Sequence, residues 1–275
     1  MSTLYVTDLD GTLLAPDKRL TEKTVAIVNG LLEQGLLFSV DTARSIMGIE
    51  LLHLDRIRFR LPLILMNGAL LYDLSAGRIV DAALMDGDTV ARVLALCREG
   101  GKAPFLYRAA GDMVTVHFTD RINVQEAEFL TERRRSHPDW FFQAADYGPP
   151  APAVYFSMQD TYERLESIGR RLEELPQVSH VLYEDNYHKD NWYMEIFSAE
   201  GGKDNGMRRL QHRIGAGRTA AIGDNFNDLP MLAAADLALV VENGQPEVKA
   251  AADRIIGAND RDGVALYLQE FAALD

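Results

Sequence analysis

The chain has 275 residues and a mass of 30.6 kDa, which suits one large domain or two modest ones. A chain this long buries roughly 70–75% of its unfolded surface, so its core needs no disulfide or metal staple. With 47% hydrophobic and 25% charged residues it is neither disordered nor low-complexity, and a net charge of -13 argues against nucleic acid or an anionic membrane as partner while leaving room for a small anionic ligand.

The single cysteine, Cys97, excludes an intramolecular disulfide and argues against a cysteine-based metal site, and nothing asks for an oxidising compartment. The segment Met1 to Asp10 lacks the basic stretch and apolar run of a signal peptide. No segment approaches the apolar length of about 18 residues that reads as a membrane span, so the expected location is cytoplasmic.

In chain order, Leu4 to Thr7 reads as a short buried strand. Thr21 is placed to cap a helix that carries Val25, Val28, Leu31 and Leu32 at helical spacing and ends at Gly35. Leu36 to Val40 and Leu63 to Met66 follow as strands. Strand, helix, strand with near-continuous apolar strands means a parallel sheet covered on both faces. Cys97 shares a helix face with Val90, Val93 and Leu94 and reads as a core thiol.

The middle has a different grammar. Met113 to Phe118, Ala153 to Met158, Val181 to Glu184 and Trp192 to Phe197 are strand-like and partly alternating. Leu165, Ile168, Leu172 and Leu175 mark one helix face, and Gly148 to Pro152 is a turn or linker. From Lys203 the first grammar returns: a helix to Arg213, a strand over Thr219 to Ile222, a helix over Asp228 to Ala235, and a strand over Leu237 to Val241. A helix over Glu247 to Asp253 follows, and Asp262-Gly263 opens a final helix through Phe271. The expected architecture is a Rossmann-like, doubly wound α/β core from residues 1–83 and 191–275, with an inserted α+β cap domain over 84–190. Ligands in such sheets bind outside the carboxyl ends of the strands, in a crevice over which a second domain can close.

Four loops carry chemistry. Asp8-Leu9-Asp10-Gly11-Thr12-Leu13-Leu14 follows the first strand directly. Two carboxylates so close repel, and a magnesium ion with its preference for oxygen ligands removes the conflict. An aspartate-rich turn is the plain alternative. Gly223-Asp224-Asn225-Phe226-Asn227-Asp228 supplies more acids at another strand end, although helix capping accounts for Asp228. Asp41-Thr42-Ala43-Arg44 ends the second strand, where a hydroxyl and backbone N–H groups can hold a phosphate, or Thr42 can cap a helix. Gly201-Gly202-Lys203 brings a lysine to a helix start, and a solvated lysine is its ordinary reading. Two further matches are discounted: the glycines of Gly215 to Ala220 precede a strand instead of following one, and Asp260 to Gly263 lacks the acids of a calcium loop.

In order, these four loops resemble the motifs of the haloacid dehalogenase-like hydrolase superfamily. Asn67-Gly68-Ala69, Pro246-Glu247-Val248-Lys249 and Asp262-Gly263-Val264-Ala265 resemble its Cof-type branch of sugar-phosphate phosphatases. Asp8 and Thr42 lie 34 positions apart, too few for a cap, whereas Thr42 and Lys203 lie 161 apart; the insert therefore matches the type-IIB capped members. The chain departs from the pattern at Ala43, where glycine is usual, at Glu242-Asn243-Gly244, and at Asp41, an added acid with no assigned role.

The resemblance implies a magnesium-dependent phosphatase for a small phosphorylated metabolite, with Asp8 as nucleophile and Asp10 as general acid and base. Magnesium would be held by Asp8, the backbone carbonyl of Asp10, and Asp224. Phosphoryl oxygens would be held by Lys203, Asn227, Thr42, the Leu9 N–H and the retained N–H of Ala43. Asp228 would orient Lys203 or metal-bound water, and Arg44 could reach the substrate from the core side. A phosphotransferase or mutase, or a phosphometabolite sensor, are the alternatives on the same scaffold. The cap candidates for substrate choice are Tyr107, Arg108, His117, Tyr155, Tyr183, His188 and Trp192.

Overall fold

Apolar runs and capped segments alternate along the chain as β1 (Thr3–Thr7), α1 (Glu22–Glu33), β2 (Leu37–Val40), α2 (Ile46–Glu50), β3 (Leu63–Leu65), β4 (Leu70–Asp73) and β5 (Arg78–Ala82). The middle contains α3 (Gly87–Glu99), β6 (Phe105–Ala110), β7 (Met113–Phe118), α4 (Val124–Ser136), β8 (Phe141–Gln143), β9 (Tyr155–Asp160), α5 (Tyr162–Leu172), β10 (Val178–Glu184) and β11 (Trp192–Ser198). The last part contains α6 (Lys203–Ile214), β12 (Arg218–Gly223), α7 (Leu229–Ala234), β13 (Leu237–Val241), α8 (Pro246–Lys249), β14 (Arg254–Ile256) and α9 (Gly263–Phe271). A computed structural model provides these elements and describes residues 2–184 and 190–272. The chain divides into two units, Met1–Asp81 with Gly202–Asp275, and Ala82–Gly201.

In the first unit the strands run in the order β14-β13-β12-β1-β2, every pair parallel. This is the doubly wound α/β sheet expected from the strand–helix alternation. Leu4, Val6, Ala221 and Val240 pack with Met207 and Leu210 of α6 and Met231 and Leu232 of α7. Each buried Leu, Val or Met side chain among them contributes roughly 1.5–3 kcal/mol. Thr21 caps α1 as expected, its side chain accepting from the Thr24 N–H. Its hydroxyl also donates to Asp262, which ties α1 to the start of α9. The third expected strand does not continue the parallel sheet in full. A single parallel bridge, Asp41 to Ile64, joins it to the end of β2, and it then forms a small sheet of order β3-β4-β5. The helix expected over Glu247 to Asp253 is shorter, because the Asp253 N–H donates to Ala238 O at 2.9 Å and its carboxylate accepts from the Ala238 N–H at 2.8 Å, steering the chain into β14.

The second unit is a six-stranded sheet, order β10-β11-β9-β6-β7-β8, antiparallel except for β7 with β8. α3 and α5 cover one face with Val90, Val93, Cys97, Leu165, Ile168 and Leu172 against Leu106, Phe156, Met194 and Ile196. Burial pushes the Cys97 thiol up to about 12, so it is inert packing. On the other face α4 sets Phe129 against Phe105. The boundary expected at residue 191 moves to 202. The reason is β11: it pairs along its length with both β9 and β10, so Trp192–Ser198 belongs to this sheet and not to the core. Among the described residues no helix is long and apolar enough to cross a membrane.

Candidate active site

The site is built where β1, β2 and β12 end. The Asp8 N–H donates to Ile222 O at 2.8 Å, and the chain then makes one wide turn, with Leu14 N donating to Leu9 O at 2.9 Å. Gly11 sits in that turn at φ +85°, and a Cβ there would collide with the Asp224 carboxylate. Only glycine allows both the backbone angle and the approach. Three further bonds hold the loop. Thr12 Oγ1 donates to Asp224 Oδ1 at 2.7 Å, Asn243 Nδ2 donates to Gly11 O at 2.7 Å, and Asn259 Nδ2 donates to Leu14 O at 2.9 Å. Asn243 Oδ1 in turn accepts from the Asn259 N–H at 2.9 Å. Sequence reasoning assigned no role to Thr12, Asn243 or Asn259; Asn243 stood in the stretch noted as a departure from the family pattern.

Lys203 is not a solvated lysine. It is 2% exposed, and its ammonium donates to Asp8 Oδ1 at 2.6 Å, Asp228 Oδ1 at 2.6 Å and Asp41 O at 3.0 Å. The preceding turn delivers it there. Gly202 at φ +93° donates its N–H to Asn67 O at 2.9 Å, and a Cβ on Gly68 would overlap the Gly202 carbonyl. This contact explains Asn67-Gly68 as a motif: it seats the first turn of α6. Burial pulls the Lys203 ammonium down, but the nearby carboxylates of Asp228 and Asp8 overcome this and hold it charged. The Asp8 carboxyl is raised first by burial, against the pull of Lys203, with Asp228 and Asp224 adding repulsion.

Asp228 is fully buried and both its oxygens are engaged: Oδ1 by Lys203, Oδ2 by the N–H groups of Asp224 at 3.0 Å and Asn225 at 3.1 Å. It orients Lys203 and shapes the Asp224 loop. Asn227 lies in the same short turn, and its side chain makes no hydrogen bond among the described residues.

The loop after β2 is arranged differently from expectation. Thr42 does not cap α2; Ser45 does, accepting from the Gly48 N–H. The Thr42 N–H is committed to Ile64 O at 3.0 Å, and Thr42 Oγ1 accepts from the Arg44 N–H at 3.2 Å. Its hydroxyl proton therefore remains to bind an anion, while its N–H does not. The N–H of Ala43 makes no hydrogen bond among the described residues. Arg44 closes both oxygens of Asp10, Nε to Oδ2 at 2.5 Å and Nη2 to Oδ1 at 2.7 Å. This bidentate pair is the strong form of the interaction.

The donor set fits magnesium. Ligand atoms of Asp8, Asp224 and Asp228 lie within 4.8 Å of one another. With Asp228 saturated, Oδ2 of Asp8 and Oδ2 of Asp224 keep unspent acceptor capacity among the described residues. Burial raises the Asp224 carboxyl to about 6, partly opposed by the Thr12 hydrogen bond. Crowded hard-oxygen groups that resist ionisation are what a divalent cation relieves.

The cap candidates do not share one face. Tyr107, Tyr155 and Tyr183 lie on the face opposite the α3–α5 cluster; Tyr107 packs edge-on to Tyr155 and shares a hydrogen bond with Ser157 at 3.0 Å. His117 pairs directly with Leu106 and so lies on the helix-covered face with Arg108, and Trp192 packs against that same apolar cluster. His188 lies outside the described residues.

The sequence profile of the haloacid dehalogenase-like hydrolase family matches residues 5–268. The chain belongs to this family. It is 26% identical to the pyridoxal phosphate phosphatase YbhA of Escherichia coli strain K12, over 95% of each chain. Its fold is similar to that of a haloacid dehalogenase-like hydrolase from Bacteroides thetaiotaomicron, with a TM-score of 0.76 and 20% identity over 98% of this chain and 99% of the other. It is likewise similar to a sugar phosphatase of HAD subclass IIB, with a TM-score of 0.71 and 18% identity over 98% and 99%.

Proposed function

We propose that the enzyme is a magnesium-dependent phosphatase that hydrolyses a small phosphorylated metabolite through an aspartyl-phosphate on Asp8. The observation that carries this reading is the buried Lys203 ammonium bonded at once to Asp8 and Asp228, with Asp224 beside them at the strand ends. Such a cation draws a phosphoryl group to the nucleophile in a site too acidic overall to bind one unaided.

The Asp8 carboxylate attacks phosphorus in line, forming the acyl phosphate as the bond to the leaving oxygen breaks. Asp10 gives that oxygen a proton and then takes one from the water that cleaves the acyl phosphate, which restores Asp8. Because Arg44 occupies both Asp10 oxygens, proton delivery needs this fork to open, and an arriving phosphoryl group is a competing partner for the guanidinium. Lys203, the Thr42 hydroxyl, the N–H groups of Leu9 and Ala43, and Asn227 hold the phosphoryl oxygens. When bound by Asp8, the Asp10 carbonyl and Asp224, magnesium supplies neutralising charge between the nucleophile and the transferring group. The relatives named above act on pyridoxal phosphate and on sugar phosphate, which points to a small phosphorylated metabolite without choosing one.

The test is phosphate release from a panel of phosphorylated metabolites, with magnesium and with chelator, and with Asp8→Asn alongside. Metal-dependent release abolished in the variant supports the proposal. Transfer of the phosphoryl group to a second metabolite instead of water overturns it in favour of a transferase. Metal-dependent binding without turnover overturns it in favour of a sensor.

A further inference from the structure

Asp41 is the one acid around Lys203 that the mechanism above leaves idle. It is 0% exposed, and neither carboxyl oxygen has a hydrogen-bond partner. Its backbone, by contrast, is fully engaged. The N–H donates to Thr7 O at 2.8 Å, and the carbonyl accepts from Lys203 Nζ at 3.0 Å.

The charged groups that face it are Lys203, Asp228, Asp8 and Arg209. An ammonium has three protons to donate, and those of Lys203 are directed at Asp8, Asp228 and the Asp41 carbonyl. Arg209 is bound to Asp81 Oδ2 at 2.7 Å and to Gly68 O at 2.6 Å. An ionised Asp41 would thus be a buried charge without a hydrogen bond, beside two carboxylates that already share one cation. A protonated Asp41 leaves only a neutral group unsatisfied, which costs far less.

We propose that Asp41 is carried as a neutral carboxylic acid and acts as a positioning residue for Lys203. Its carbonyl oxygen takes the third ammonium proton, and its uncharged side chain leaves the other two to Asp8 and Asp228. The electrostatics run the same way: burial first, opposed by Lys203, then Asp228 and Asp8, hold the Asp41 carboxyl well above the usual carboxylate range. Deprotonation at high pH would give Lys203 a third carboxylate to answer and draw it away from Asp8.

Only the kinetic arm of the test rests on the phosphatase reading. The direct arm is infrared or carboxyl-carbon NMR on the folded protein near neutral pH, comparing wild type with Asp41→Asn. A protonated-carboxyl signal present in the wild type and missing in the variant is expected. The second arm is urea unfolding from about pH 5 to about pH 9. A carboxyl raised on folding stabilises fully below its unfolded pKa, and that contribution is lost as pH rises through the folded value; the wild type should therefore lose stability relative to Asp41→Asn as pH increases. In the kinetic arm, the alkaline limb of kcat/KM shifts upward in Asp41→Asn.

Absence of the wild-type signal, or stability curves that run parallel across the range, overturns the proposal whether or not a substrate has been found. If Asp41→Asn does not fold, Asp41→Ser, smaller and also neutral, supplies the same difference spectrum.

Discussion

Each unit of the molecule buries a lysine among carboxylates, and the two networks are built differently. Lys203 meets Asp8, Asp228 and a carbonyl in the first unit. Lys102 in the second meets Glu126 at 3.0 Å, Asp160 at 3.3 Å and Gln159 O at 2.9 Å. The difference lies in what the acids have left over. Glu126 Oε1 also accepts from the Gln159 N–H and Oε2 from the Asn123 N–H, in a capping box that starts α4. Asp160 is engaged by the Thr161 N–H and by Arg164 as well. Around Lys102 each carboxylate is committed to local structure. Around Lys203, among the described residues, Asp8 and Asp224 each keep an oxygen without a hydrogen bond, and the Asp41 carboxyl has no partner. Unspent acceptor capacity, not a buried cation, is what sets the proposed centre at Lys203 apart from the Lys102 network.

The largest effect that would sharpen this contrast is Asp8→Asn. It removes the attacking oxygen, and turnover should fall by at least about 10³-fold while the fold persists, checked by phosphate release and circular dichroism. A folded variant with wild-type turnover would break the assignment. The next comparison uses the two lysines directly. Lys203→Met and Lys102→Met each leave buried carboxylates uncompensated, so each should cost about 3–5 kcal/mol in urea unfolding. Turnover below the melting range should collapse in Lys203→Met alone. Equal kinetic damage in folded Lys102→Met would erase the distinction between the two centres.

That distinction was half legible in the sequence. The elements flanking the site fall where periodicity and capping put them: β1, α1, β2, α6, β13 and α9 match their expected spans to within a residue or two. Lys203 was recognisable only through the resemblance of its loop to a family motif; taken alone it read as a solvated lysine. Lys102 was not, because the helix that serves it hides its own pattern: α4 buries a glutamate and a leucine, Glu126 and Leu130, where periodicity looks for two apolar residues. Strand pairing was the other gap. Nothing within Trp192–Ser198 tells whether it joins the parallel core or the second sheet; the partners that decide, β9 and β10, are read only in three dimensions. The same holds for the Thr42 N–H, which is spent on Ile64, a residue well separated in sequence. Side-chain pattern reports which residues are buried, not which backbone group each amide will find.

A smaller effect follows from Asp224, whose carboxyl is raised by burial to about 6. Without metal, the folded state holds this proton more tightly than the unfolded state. Asp224 therefore stabilises most in acid, and loses that contribution as pH rises through about 6. Magnesium needs the ionised form, so its affinity should weaken as pH falls through the same range, by up to about tenfold per unit for one competing proton. Isothermal titration at several pH values checks the sign. Chelation should cost most stability above that range, and the Lys102 network should show no dependence on magnesium at all. An affinity that is flat from acid to neutral pH would remove Asp224 from the metal set.

The smallest effect concerns how the Gly11 loop, which packs against Asp224, is held. Asn243→Ala deletes the bond to Gly11 O and leaves the Asn259 N–H without its acceptor. The cost should be about 0.5–1.5 kcal/mol, the net worth of a hydrogen bond that water can partly replace, since Asn243 is exposed. Asn243 contacts neither Asp8 nor Lys203 in the described hydrogen bonds, so the charge arrangement survives its loss. What loosens is Gly11, whose close approach fixes the Asp224 carboxylate. The expected kinetic signature is therefore a higher magnesium requirement, with turnover largely restored at saturating metal. A drop in turnover that magnesium does not restore would place Asn243 nearer the reacting atoms than its hydrogen bonds do.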